Sequence, residues 1–367
     1  MTSSLDVVVI GAGQAGLALG HHLARRRADF LLLEAGPEVG HSWRSRWDSL
    51  RLFSPAQYDS LPGLPFPAPA DTHPTKDDVA DYLAAYAAHF RLPVRLNSPV
   101  RRVHRTADGR FAVTTPTEVL SARQVVVATG PFQTPRTPAL AADVDPRVPQ
   151  LHSAEYRNPA QLPAGARVLV VGAANSGLQI AAELADTCSV TVAVGSRPTE
   201  LPQRIAGRDL FFWLTKSGFF TVPADSRIAR RLRARGDIVI GTRSSALRRR
   251  GIAFRPRLTG FTARTATFAD GSRAEIDAVV WATGYRPDYS WLHVPGVIDD
   301  AGAVRHHAGV TDVPGLYFLG LPWQTARGSA LLGFVGADAA TLAARLADGL
   351  SRSRLSGSPG SCWRSPP

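Results

Sequence analysis

The chain has 367 residues, 44% hydrophobic and 20% charged, more than one domain of ordinary size needs, so two domains with buried cores are expected. No run of about 18 apolar residues is present and residues 1–4 lead directly into an apolar strand, so the expectation is a cytoplasmic protein with no membrane span and no export signal. The net charge of +12 is almost all arginine, Lys76 and Lys216 being the only lysines; the arginine clusters at 230–235 and 248–250 lack aromatic partners and read as solvated helix faces that attract an anionic cofactor, not as a nucleic-acid surface.

Residues 7–10 form the continuous apolar run that a parallel strand buried on both faces requires. Gly11-Ala12-Gly13-Gln14-Ala15-Gly16 follows, then helix-forming sequence to Arg27 and a strand at 30–34, which completes a βαβ unit. The proline-rich stretch 55–74 resists regular structure and is expected to be a long surface loop ordered by what it covers. A helix is predicted over 75–90, capped by Thr75 or Asp77, with Val79, Leu83 and Tyr86 on one apolar face. Strands at 110–114 and 124–128 come next, the second running into Thr129-Gly130. A second unit starts at 168–171 and continues through Gly172-Ala173-Ala174-Asn175-Ser176-Gly177 and a helix to about Ala185. Its further strands lie at 190–194 and 278–281. Ala-Thr-Gly closes both units, at Ala128-Thr129-Gly130 and Ala282-Thr283-Gly284, as though one architecture had been used twice. Residues 315–320 read as a strand returning to the first sheet, 329–350 as a helix, and 351–367 as a disordered tail. The fold class is α/β, with two Rossmann-like dinucleotide-binding domains on three-layer sheets. The first spans 1–160 and 286–350, and the second, 161–285, is inserted into it.

In the first fingerprint Gly11 permits the tight turn, Gly13 lets backbone approach a pyrophosphate and Gly16 allows close helix packing, while the helix N-terminus offers N–H groups and positive dipole. Glu34, ending the next strand, is placed to accept hydrogen bonds from both ribose hydroxyls. In the second fingerprint Ala174 replaces the middle glycine, a methyl that a slightly more distant pyrophosphate accommodates. Ser196-Arg197 stand where an acid would otherwise meet the ribose; they remove that acceptor and add donors for a 2′-phosphate, so NADPH is preferred to NADH. Two dinucleotides of different kinds imply one bound redox group and one diffusing hydride donor, and the acidic site then holds FAD. Cys188 and Cys362, the only cysteines, form no Cys-x-x-Cys pair, which excludes a dithiol relay, and no metal site is read.

Together these residues resemble the flavin-containing monooxygenase group, most closely its short bacterial flavoproteins, over nearly the whole chain up to Leu350. The likeness includes Trp43-Arg44-Ser45-Arg46-Trp47-Asp48-Ser49-Leu50-Arg51-Leu52, similar to the family's segment beneath the flavin. It also includes Pro74-Thr75-Lys76-Asp77, both Ala-Thr-Gly links and residues 315–320. Of the family's linker motif Phe-x-Gly-x-x-x-His-x-x-x-Tyr/Phe only the second half is present, as His152-Ser153-Ala154-Glu155-Tyr156, with Pro146 and Val148 at the Phe and Gly places. Tyr156 differs from the tryptophan of Baeyer-Villiger enzymes and favours heteroatom over ketone oxygenation. Ser54 lies near the place where many members carry an asparagine that helps hold the oxygenated flavin.

The resemblance implies an enzyme in which NADPH reduces FAD and the flavin then forms a C4a-(hydro)peroxyflavin that oxygenates a small nitrogen- or sulfur-containing nucleophile, the protein supplying orientation, a dry pocket and hydrogen bonds. The alternative is an NAD(P)H oxidase or reductase passing electrons to oxygen, a quinone, a metal or a partner protein. Flavin contacts are expected at Trp43, Arg44, Leu52, Val100, Ala128, Thr129, Gly130 and Gln324 besides the first fingerprint and Glu34. Those of NADPH are expected at Asn175, Ser176, Thr283 and Gly284 besides the second fingerprint and Ser196-Arg197. Catalytic candidates are Ser54, His152, Gln324 and Arg327, His152 reading also as a structural hydrogen-bonder. The partners are a small-molecule substrate and molecular oxygen, with a monomer or homodimer expected. The aromatic residues Phe211, Phe212, Trp213, Phe219 and Phe220 read as pocket lining, a membrane-facing patch, core or dimer contact.

Overall fold

The β-branched run at 7–10 forms the centre of the larger sheet. In the computed structural model, which describes residues 4–236 and 238–356 and side chains to Leu350, Val7, Val8 and Val9 of strand Ser4–Ile10 have no exposed surface, as a strand covered on both faces requires. Strands Phe30–Leu33 and Val119–Val127 pair with it in parallel, Val7 opposite Phe30 on one side and Gln124 on the other. The eight-stranded sheet continues through Val94–Arg95 at one edge and through Phe111–Thr114, Arg102–Arg105 and Leu292–His293 at the other. Leu316–Phe318 joins Val119–Val127 in parallel, the return expected for 315–320.

Helices Gln14–Arg25, Lys76–His89 and Val335–Ser356 share one apolar cluster on this sheet. Lys76–His89 starts at a capping box: Thr75 accepts from the Asp78 amide and Asp78 accepts from that of Thr75, so of Thr75 and Asp77 it is Thr75 that caps the helix. The Tyr82 and Tyr86 hydroxyls of this helix bond the backbone at Leu61, Leu64 and Pro62, which pins the irregular 55–74 segment. The last helix, Val335–Ser356, lies later at both ends than the expected 329–350. Its start is set by Gly333, where a Cβ would lie 1.8 Å from the Tyr58 carbonyl oxygen; residues 328–334 fold as tight turns against the 55–74 segment before a helix can begin. Its end falls inside the expected disordered tail, of which 357–367 lie outside the described residues.

A second sheet of five parallel strands has the order Ala253–Arg255, Ser189–Ala193, Arg167–Val171, Ala278–Trp281, Gln150–His152, with helix Asn175–Leu184 packed on it. Gln150–His152 serves this sheet although it precedes residue 161 in the chain. Between Ser189–Ala193 and Ala253–Arg255 the chain makes an excursion in which Thr199–Leu201 and Ile238–Ile240 pair in parallel and Leu210–Lys216, Arg227–Ala234 and Ser244–Arg249 are helical, the arginines of the last two exposed. Phe211 and Phe220 are buried in a cluster that joins the excursion to Phe53, Tyr58 and Phe334, so these rings are core. Among the described residues no helix is long and apolar enough to cross a membrane.

Candidate functional site

Both glycine-rich turns are built the same way. Gly11 has φ +104° and a Cβ there would lie 2.6 Å from the Ala128 carbonyl oxygen; one at Gly16 would lie 1.9 Å from the Gly11 oxygen. Gly172 has φ +119° with the Ala282 oxygen at 2.3 Å, and Gly177 has the Gly172 oxygen at 2.1 Å. Each Ala-Thr-Gly link therefore presses its alanine carbonyl onto the first glycine of its fingerprint, which only glycine's missing Cβ and tolerance of positive φ allow. A Cβ at Gly13 would meet nothing within 4 Å, so the outer side of the turn is open. The helix starts at Gly13 and Ala174 carry no side-chain cap, leaving their first N–H groups free for an anion.

Glu34 holds the first turn. Its Oε2 accepts from the Ala12 amide and its Oε1 from the Gly36 amide, each at 3.0 Å, and each oxygen keeps a lone pair for a ribose hydroxyl. At the matching place in the second unit Ser196 and Arg197 are exposed, and Arg257 donates to the Gly195 carbonyl at 3.1 Å. One cavity of about 1480 Å³ is lined by both turns, larger than the roughly 300–1,000 Å³ that one small ligand occupies. From the first half Gly11, Gly13, Gln14, Ala15, Glu34, Trp43, Leu52, Ser54, Val100, Ala128, Thr129 and Gly130 reach it. From the second half Gly172, Ala174, Asn175, Ser176, Ser196, Arg197, Thr283 and Gly284 do so, and Arg327 closes one side.

Several expected residues do not line it. Ala12, Gly16 and Gly177 lie sealed within the turns, shaping them from inside. Arg44 is drawn away by Glu38 and Asp81, the latter at 2.7 Å, and Arg46 and Trp47 line the cavity in its place. His152, 4% exposed, spends both ring nitrogens on backbone: Nε2 on the Gly284 oxygen and Nδ1 on the Ala154 amide, each at 3.1 Å. Its Nε2–H tautomer clamps the linker to the second Ala-Thr-Gly link, away from the cavity lining, and burial holds its pKa below the ordinary value. Gln324 is likewise buried, accepts from the Leu321 amide at 3.3 Å and supports the turn at Gly309 from below. Asn175 reaches the cavity but its amide is held by Ile238 and Ile240.

Two candidates, Arg327 and Ser54, lie in the cavity wall. Arg327 lies over the rings of Phe219 and Trp323 at 5.9 and 5.4 Å. Ser54 Oγ donates to Asp59 Oδ1 at 2.6 Å. Asp59, 2% exposed, also lines the cavity, and its Oδ2 has no partner among the described residues. Burial pushes its carboxyl up to about 7 against the opposing pull of the Ser54 hydrogen bond. Asp59, Arg46 and Arg257 were missed by sequence reasoning; Asp59 stands between Tyr58 and Ser60 in the proline-rich segment, with no local signal of its burial.

A family model for pyridine nucleotide-disulphide oxidoreductases matches residues 8–206. An uncharacterized CzcO-like oxidoreductase of Geobacillus kaustophilus is 44% identical, over 92% of this chain and 97% of the relative. Indole-3-pyruvate monooxygenase YUCCA1 of Oryza sativa is 30% identical, over 84% of this chain and 82% of its own. Among solved structures, a flavin-containing monooxygenase from Stenotrophomonas maltophilia superposes with a TM-score of 0.79 at 32% identity, covering 95% of this chain and 99% of its own.

Proposed function

This chain belongs to the pyridine nucleotide-disulphide oxidoreductase family, in its flavin-containing monooxygenase-like branch, and from that premise we propose that it is an FAD-dependent, NADPH-using monooxygenase of small nitrogen- or sulfur-containing nucleophiles. The observation that carries the reading is one cavity served by two fingerprints of opposite ribose chemistry, Glu34 at one and Ser196, Arg197 and Arg257 at the other. The open face at Gly13 and the unspent lone pairs of Glu34 fit the adenosine diphosphate part of FAD. The arginines fit a 2′-phosphate, which asks for several N–H donors. Bound flavin supplies the redox and oxygen chemistry. The chain's own residues do the rest. Trp43, Leu52 and Val100 form apolar wall, Ser54 and Asp59 supply the buried polar pair, and Arg327 supplies a cation in the lining. Phe211 and Phe334 add apolar lining from the aromatic cluster, and an apolar wall strengthens the charge interactions inside. The two cysteines, 188 and 362, form no Cys-x-x-Cys pair of the kind a dithiol relay uses.

The test is turnover with NADPH under isotopically labelled oxygen and a panel of small amines and sulfides. Label in an organic product with little hydrogen peroxide supports the proposal. Peroxide in an amount equal to the NADPH consumed, with every nucleophile, refutes oxygenation and leaves an NAD(P)H oxidase or reductase.

A further inference from the structure

We propose that Asp59 and Ser54 form a proton relay in the cavity wall, Asp59 giving up through the Ser54 hydroxyl the proton that the reaction consumes; this rests on the reading above of a flavoprotein in which NADPH and oxygen react. The overall step is NADPH + H⁺ + O₂ + substrate giving NADP⁺ + water + oxygenated substrate. NADPH loses two electrons, one oxygen atom bonds to the substrate, the other leaves as water, and one proton must enter from the protein side.

The geometry fixes the route. Ser54 Oγ and Asp59 Oδ1 are 2.6 Å apart, and both residues line the cavity while being 8% and 2% exposed. With Asp59 ionised, the serine hydroxyl is spent donating to Oδ1 and presents only lone pairs to the cavity. With Asp59 protonated on Oδ1, the carboxyl donates to Oγ and the serine proton is free to point at a ligand. One proton on Asp59 thus turns the wall at Ser54 from acceptor to donor. Passing the serine proton inward and refilling it from Asp59 completes the relay, and Oδ2, without a partner among the described residues, is left for a ligand or water.

The surroundings keep this carboxyl near neutrality. Burial dominates, and the carboxyl is pushed up to about 7. From helix Lys76–His89 the facing titratable group is Tyr82, whose hydroxyl bonds the Leu61 amide and the Leu64 carbonyl and is itself pushed up to about 12, with burial the main cause and the Asp59 charge a lesser one. From the turns before Val335–Ser356, Gly333 and Phe334 pack here and bring no charge. From the excursion, Asp209 is turned to its own helix cap and to His73 at 3.3 Å. Arg327 is stacked on Phe219 and Trp323. No cation pairs with Asp59 among the described residues, which is what a group that must hold and release a proton near pH 7 needs.

The test uses the FAD-loaded full chain and has two readouts. By infrared spectroscopy, the wild type should show a protonated-carboxyl band that vanishes with a midpoint near pH 7, and Asp59→Asn should lack it. A wild type whose carboxyl bands all vanish near pH 4, or an Asp59→Asn protein that keeps the neutral band, overturns the proposal. In turnover, Asp59→Asn and Ser54→Ala should each lower kcat on the order of 10²-fold and lose the inflection near pH 7, with FAD affinity within threefold of wild type. A wild-type pH profile in either variant overturns the relay. Should Asp59→Asn not fold, Ser54→Ala carries both readings, for it should keep the carboxyl band and move its midpoint upward. A protein that releases only peroxide defeats the oxygenase reading but not the relay, because NADPH + H⁺ + O₂ giving NADP⁺ + H₂O₂ consumes the same proton and its pH profile is read the same way.

Discussion

Replacing Glu34 by alanine removes both acceptors of the first site at once. In the structure the carboxylate takes the Ala12 and Gly36 amides at 3.0 Å each, and its remaining lone pairs are those assigned to the ribose. Hydrogen bonds to a charged group contribute about 1.5–3 kcal/mol each. Water can replace the carboxylate at the amides, so the loss in binding is taken from the two ribose bonds at the low end of that range, about 3 kcal/mol. That is roughly a 10²-fold rise in the Kd for FAD at about 1.4 kcal/mol per decade. The assay is titration of the apoprotein with FAD, followed by quenching of flavin fluorescence, in parallel with NADP⁺ binding to the same protein. NADP⁺ affinity should stay within twofold, because Glu34 belongs to the other turn. An FAD affinity within threefold of wild type, or a loss that falls on NADP⁺ instead, would refute the assignment of the two sites.

Arg197→Ala and Arg257→Ala should each raise the KM for NADPH on the order of tenfold and leave that for NADH unchanged, since each removes a charge-assisted donor; steady-state kinetics with both coenzymes checks this. Gly16→Ala would force a methyl to 1.9 Å from the Gly11 oxygen and Gly177→Ala one to 2.1 Å from that of Gly172. The first should abolish FAD retention and the second NADPH binding without loss of FAD, read from the absorbance of the purified proteins and from ligand titration. Asp59 links stability to pH in the direction opposite to an ordinary salt-bridged carboxylate. Its pKa is raised in the fold from 3.8 to about 7, so the folded state binds the extra proton, and apoprotein stability falls as pH rises through that window and stays low above it. The ceiling is about 4 kcal/mol at 1.36 kcal/mol per unit. Asp59→Asn should therefore unfold at higher denaturant than wild type at pH 8 and lose that advantage at pH 4.

What was legible in the sequence is what local contacts decide. The two fingerprints, their strands and Glu34 all lie within one βαβ unit each, and the repeated Ala-Thr-Gly is explained by the alanine carbonyl pressed onto Gly11 and Gly172. The cap at Thr75 was legible for the same reason. The illegible parts depend on distant partners. Asp59 is perturbed by burial, and the turn at Gly333 packs against Tyr58 and the Asp59 amide from far along the chain, which no local pattern announces. The same contact delays the last helix to Val335. Arg257 reaches Gly195 because Ala253–Arg255 pairs beside Ser189–Ala193, a register that the arginine itself does not signal. His152, Arg44 and Gln324 have the right chemistry for a site, but Gly284 and Ala154 take the His152 nitrogens, Asp81 and Glu38 take the Arg44 guanidinium, and Leu321 takes the buried Gln324 oxygen.

Mixing the purified protein with NADPH in the absence of oxygen asks whether the two sites work on each other. The bound FAD should bleach fully in the visible with one equivalent of NADPH, and only slowly with NADH at the same concentration. A protein that retains no FAD, or retains FAD that NADPH does not reduce, would contradict it.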